Sequence, residues 1–228
     1  GHGRLPPREA GYLAALRATR HAKWSEAYDA WLGVVRLCPS DLFAVKRAQF
    51  ACLMGGPAQG MLDAASAATA TGGELGRYYF GLLSFGLEQC RRFEEAEKVA
   101  REGLKAEAGT ASNDGVDRED KWLQHGLAHA LYFQGRHSEA ADFLRGRAPG
   151  WRRSHMHPFL FTHLWWHLAL LETEEGRSTA ALNVFDTQLW ADDTHDLEVQ
   201  VNALGLLVRL HVRMVDVGDR WDKVVAAC

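Results

Sequence analysis

Apolar residues recur every three to four positions along most of this 228-residue chain, and no stretch alternates with period two for long. The first spacing is that of amphipathic helices and the second is what half-buried strands need, so the pattern predicts helices throughout. One unit comes back repeatedly: an apolar helix, a short turn, then an alanine-rich amphipathic segment. Its turn reads Lys23-Trp24-Ser25-Glu26-Ala27, then Arg92-Phe93-Glu94-Glu95-Ala96, Arg136-His137-Ser138-Glu139-Ala140 and Arg177-Ser178-Thr179-Ala180-Ala181. Gly135 and Gly176 stand five residues before the last two alanines, where a helix C-terminus takes a left-handed residue. The serine in three of the turns suits the opening of the following helix.

Twelve residues before each of those alanines lies another small residue: Ala15, Ser84, Ala128 and Ala169. That spacing places one small side chain on each helix of a pair and allows close approach. A weaker unit fits between, with Ala48 and Gly60 in the same roles. Units then start near Arg8, Asp41, Arg77, Lys121 and Thr162, at steps of 33, 36, 44 and 41 residues. This is the tetratricopeptide-repeat period, lengthened by loops. The expected fold is all-α: one array over residues 1–228, about five helix-turn-helix repeats and part of a sixth, stacked as a right-handed solenoid. The polar run 109–120 (GTASNDGVDRED) is expected to be a mobile loop, and 146–158 (GRAPGWRRSHMHP) an irregular connector. Later helices are expected over Pro158–Glu175, Ser178–Gln188 and His195–Val217. Asp219–Cys228 begins a further helix without the polar cap a solenoid end needs, which predicts that the native protein continues.

Composition narrows the function classes. Hydrophobic residues make up 47% and charged residues 24%, the usage of a globular chain that buries a core without staples. A net charge of −3 gives no field for phosphate backbones, so nucleic acid is not an expected partner. The four cysteines form no C-x-x-C pair, and reduced thiols in a cytoplasmic setting are the simplest reading. The apolar stretches Phe159–Leu171 and Val199–Val217 are interrupted by histidine, glutamine and arginine, so no membrane span is expected.

Four segments, taken in order, carry a resemblance: Leu83-Ser84-Phe85-Gly86-Leu87-Glu88-Gln89-Cys90, Asp120-Lys121-Trp122-Leu123-Gln124-His125-Gly126-Leu127-Ala128-His129, His163-Leu164-Trp165-Trp166-His167-Leu168-Ala169-Leu170 and Val215-Asp216-Val217-Gly218-Asp219-Arg220-Trp221. Together they resemble the tetratricopeptide repeat protein 38 family, from about Pro7 to Cys228. The resemblance implies the helical-repeat fold and a longer native protein, and it transfers no activity. The chain departs from the family pattern in the length of the 109–120 loop and at Asn202, where the resemblance implies an acid.

Histidine is the most unevenly placed residue type. Seven of the 11 fall between positions 125 and 167, with four of the eight tryptophans in or beside that window. His125 and His129 are spaced i, i+4, as are His163 and His167, so each pair shares a helix face. In repeat register, His125, His129, His163, Trp166 and His167 occupy first-helix positions that line the concave groove in proteins resembling this one. Three readings follow from these residue types. Packed, hydrogen-bonded rings are the first. A ligand groove with Trp166 as floor is the second. A metal site is the third, since i, i+4 imidazoles can share an ion, although there is no H-E-x-x-H here and no carboxylate between the paired histidines.

Other signals are plainer. Arg145, Arg147, Arg152 and Arg153 around Trp151 read as solvated surface, and His155-Met156-His157 as exposed connector. Gly55-Gly56-Pro57-Ala58-Gln59-Gly60 lacks G-K-[ST] and is a turn. No nucleophile motif is present, and Cys90 reads as a small apolar filler. The leading expectation is a scaffold that binds a protein or peptide in a groove lined by His125, His129, His163, Trp166 and His167, with no cofactor and no resident metal. Its binding is expected to weaken below about pH 6 as imidazoles charge. The alternative is an enzyme using the same histidines as metal ligands or as acid and base.

Overall fold

A computed structural model describes residues 5–70, 76–108, 119–191 and 196–227. Twelve α-helices and no strand occur among them. They are α1 (Pro7–Arg20), α2 (Trp24–Leu37), α3 (Leu42–Gly55), α4 (Ala58–Ser66), α5 (Tyr78–Gln89), α6 (Phe93–Ala108) and α7 (Lys121–Phe133). Then come α8 (His137–Arg147), α9 (Pro158–Glu174), α10 (Ser178–Val184), α11 (Leu197–Val212) and α12 (Arg220–Val225). A π-helical turn, Phe185–Leu189, prolongs α10. No helix is long and apolar enough to cross a membrane among the described residues. The chain divides into two compact units, residues 1–130 and 131–228, with the division inside α7.

In the first unit the core surrounds Trp31, which is fully buried. Tyr12 meets its ring edge-on at 4.9 Å and Phe43 at 5.9 Å. Truncation of so large a buried ring costs about 3–5 kcal/mol, which makes α2 the anchor of α1 and α3. The small residues of the sequence pattern are all buried here: Ala15, Ala27, Ala48, Gly60, Ser84 and Ala96. Ser84 uses its place to donate a hydrogen bond to the Ala96 carbonyl at 3.0 Å, tying α5 to α6. In the second unit Ala169, Ala181, Phe185, Ala203, Leu206, Leu207 and Leu210 close the core between α9, α10 and α11. Glu172 is buried yet paired, taking Arg145 at 2.9 Å and Arg177 as charge-assisted partners.

The turns repeat more faithfully than their residues do. The amides of Lys23, Arg92, Arg136 and Arg177 donate to the carbonyls of Ala18, Leu87, Leu131 and Glu172, five residues back, at 2.8–3.0 Å. This is the six-to-one bond of a Schellman motif. The residue before each donor is left-handed: Ala22 (φ 53°), Arg91 (φ 61°), Gly135 (φ 75°) and Gly176 (φ 74°). Met214 (φ 60°) makes a fifth case, with Val215 donating to Leu210. That turn ends α11 at Val212, short of the expected Val217.

Two further expectations change. The serines do not cap the second helices: Lys23, Arg136 and Arg177 hold the N-cap positions of α2, α8 and α10 with no side-chain cap, although Ser178 is the first residue of α10. Ser138 instead hydrogen-bonds Glu175. Within the polar run expected to be a loop, 109–118 lies outside the described residues. Asp120 is fully buried and starts α7, because a carboxylate there accepts the otherwise unmet amide of Trp122 at 2.9 Å.

Candidate functional site

The helix α9 carries three of the sequence-singled residues. Its buried side is Leu160, Phe161, Thr162, Leu164 and the run from Leu168 to Thr173. Phe159, His163, Trp166 and His167 are half-buried, at spacings that hold them to one side of the helix. They are ordered by stacking. Phe159 and His163 lie at 4.9 Å with planes 22° apart, and His163 and Trp166 at 5.3 Å and 19°. Rings at i, i+4 and i+7 thus form one continuous stack. His167 meets Trp166 edge-on at 4.9 Å, and its Nε2 lies 3.0 Å from Nε2 of His163. On α11, Asn202 places Oδ1 3.4 Å from His163 Nδ1, and the Arg209 guanidinium stands 5.6 Å over the Trp166 ring. The buried indole nitrogen of Trp166 meets no hydrogen-bond partner among the described residues.

His163 and His167 can therefore exchange a proton along one short hydrogen bond, or share an ion with nitrogens already 3.0 Å apart. The other pair is built differently. His125 and His129 on α7 have ring centroids 4.2 Å apart, and His125 is buried against the edge of Trp122 at 5.8 Å and beside Phe85 at 6.2 Å. His129 is half-buried, with Nδ1 3.5 Å from Oε1 of the buried Glu88 on α5. Gln89 donates to the second oxygen of Glu88 at 2.7 Å. An acid beside one pair and an amide beside the other give the same spacing two chemistries.

A second constellation, which sequence reading did not single out, lies in the first unit. A cavity of about 600 Å³ opens among Tyr12, Phe43, Lys46, Tyr78, Asp120 and Trp122. Arg8 and Asp41 form one wall as a closed set. The Asp41 carboxylate caps α3 through Ala44 N at 3.0 Å, and accepts from Arg8 Nη2 at 2.6 Å and from Tyr12 Oη at 2.7 Å. Burial works against that charge, but the Tyr12, Ala44 and Arg8 donors hold Asp41 below the usual carboxylate range. Burial and the same carboxylate push the Tyr12 hydroxyl up to about 12.

Lys46 and Asp120 make the opposite wall. The Lys46 ammonium lies 3.4 Å from the Trp122 ring centre and 5.7 Å from that of Phe85. Loss of water brings it down to about 8, with the Asp120 charge opposing. Asp120 is driven up to about 7, first by burial and then by Glu107, against the helix-start amides of Trp122 and Leu123 and the charge of Lys46. Its Oδ2 is buried and meets no hydrogen-bond partner among the described residues. The sequence signal that marks this site is an aspartate directly before the helix-forming run from Lys121, masked by its place at the end of a polar stretch.

The remaining sequence signals resolve as structure. Arg145 binds Glu172, Arg147 covers the Phe143 ring and Arg153 that of Phe161, while Trp151 is buried edge-on to Trp165 at 5.0 Å. His155 and His157 are exposed. Cys90 ends α5 as a half-buried free thiol that burial pushes up, an unreactive setting. No protein-family model matches the chain.

Proposed function

We propose that the protein is a tetratricopeptide-like repeat scaffold that binds a protein or peptide partner, in keeping with its resemblance to the tetratricopeptide repeat protein 38 family. The observation that supports this most is the Phe159–His163–Trp166 stack, half-exposed on one side of α9 and flanked by His167 and Arg209. Aromatic rings fixed before binding lose little entropy when a partner side chain lies on them. His125 and His129 extend the same first-helix positions in α7. The test is selection of a displayed peptide library on the full chain, followed by affinity measurement for a recovered peptide. Trp166→Ala should weaken that peptide about tenfold or more, the cost of losing an aromatic anchor. Equal affinity for the variant overturns the assignment.

A second reading has its own observation. The 3.0 Å separation of His163 Nε2 and His167 Nε2 suits chelation, and a metal on His125, His129, His163 or His167 would favour the enzymatic alternative. Elemental analysis of protein loaded with zinc and then dialysed tests it. A stoichiometric ion lost in His163→Ala supports a metal site on α9; zinc content unchanged in that variant removes it.

A further inference from the structure

Lys46 is held by aromatic faces and not by a counter-ion. Its ammonium makes no hydrogen bond or ion pair among the described residues, and it rests on the Trp122 face. Asp120 is engaged only in part: Oδ1 caps α7, while Oδ2 is buried without a hydrogen-bond partner among the described residues and lies against the backbone of α5 at Gly81. Both residues line a cavity whose remaining lining is largely aromatic and aliphatic apart from the paired Arg8–Asp41 wall. Its volume of about 600 Å³ is inside the range of roughly 300–1,000 Å³ typical of small-molecule sites.

The occupant that suits these walls is uncharged at its reacting end. A carboxylate would pair with Lys46 but bring a further acid beside Asp120 and Glu107, which already repel one another's charge. A carbonyl group brings no charge and is the natural target of an amine kept from water. We propose that this cavity binds small aromatic or apolar aldehydes and ketones, and that Lys46 condenses with them to an imine with Asp120 as the proton carrier. The site is independent of the partner-binding stack on α9.

The chemistry closes without an oxidant or reductant. The unprotonated Nζ of Lys46 adds to the carbonyl carbon, forming a C–N bond while the carbonyl π pair moves to oxygen. That oxygen takes a proton from the Asp120 carboxyl, and the ammonium nitrogen returns one to the carboxylate, leaving a carbinolamine. Asp120 then protonates the hydroxyl, the nitrogen lone pair forms C=N, and the C–O bond breaks to release water. The iminium returns its proton to Asp120. The sum is amine plus carbonyl giving imine plus water. The acid at about 7 and the base at about 8 are matched for such exchange near neutral pH.

The probe is benzaldehyde, trapped with sodium cyanoborohydride on the full chain and located by peptide mass mapping. Lys46 should be benzylated at least about tenfold faster than the exposed Lys23, Lys98 and Lys223, a comparison made within the wild-type protein. Benzyl alcohol, which fills the cavity without a carbonyl, should slow labelling of Lys46 and leave the exposed lysines unchanged. Asp120→Asn should slow trapping at Lys46 by about tenfold or more while the labelled position stays the same. Labelling of Lys46 at or below the rate of the exposed lysines overturns the proposal, as does insensitivity to benzyl alcohol. A rate unchanged in Asp120→Asn removes Asp120 as the proton carrier.

Discussion

The cavity of the first unit and the ring stack of the second use the same materials to opposite ends. Each joins indole, a basic side chain and a titratable partner. In the cavity, Asp120 is buried and Lys46 half-buried, neither in an ion pair among the described residues, and loss of water moves their proton affinities toward one another. On α9, rings stack on rings, Arg209 is exposed, and the nitrogens of His163 and His167 satisfy each other. If both proposals hold, the difference teaches that desolvation, more than residue type, separates a set that reacts from one that recognises. A lysine in water keeps its proton to high pH; the same lysine against Trp122 gives it up at about 8.

Three measurements bear on this contrast. The largest effect belongs to Asp120. A carboxyl whose folded pKa is raised to about 7 contributes stability that is fully present below its ordinary range near 4 and is lost as pH rises to about 7. Asp120→Asn removes that titration. Denaturant melts across pH 4 to 7 should show the variant gaining on the wild type by on the order of 2–4 kcal/mol, with a constant difference above that window. A difference that does not change with pH would place Asp120 in water and end the contrast.

Next comes Gly81, where a Cβ would lie 2.5 Å from Asp120 Oδ2 and 3.1 Å from the backbone nitrogen of Leu123. The helix start at Leu123 cannot move aside, so Gly81→Ala should cost about 1–3 kcal/mol in a thermal or denaturant melt. The smallest effect has the opposite sign. At Gly205, beside the stack, a Cβ would meet Arg209 Nη1 at 3.4 Å and the Trp166 ring at 3.6 Å, which are ordinary contacts. Gly205→Ala should stabilise by roughly 0.5–1 kcal/mol through helix propensity alone. A loss there comparable to that at Gly81 would mean the stack is as tightly walled as the cavity.

Much of the local architecture was legible because it rests on spacing. Small residues twelve apart are buried where the pattern put them, and helix starts at Leu42, Tyr78 and Lys121 fall within a residue of those read from the repeat. Helix ends were harder to read, since the turn after α11 depends on a methionine in a conformation that sequence associates with glycine. The histidine pairs were visible as spacing, but their partners, Glu88 for one and Asn202 for the other, come from other helices and leave no local mark. The cavity was invisible for the same reason. Tyr12, Lys46, Tyr78 and Asp120 are separated by dozens of residues, and packing alone assembles them.

The left-handed turns carry one further lesson. Alanine, arginine and methionine at 22, 91 and 214 hold the backbone that glycine holds at 135 and 176, though each pays about 1–2 kcal/mol for a crowded Cβ. The flanking helices therefore dictate the bend, and its apex accepts residues other than glycine. A signature keyed on glycine at that point recovers two of these five corners and overlooks the others, whereas the alanines at 27, 96, 140 and 181 are buried beneath four of them.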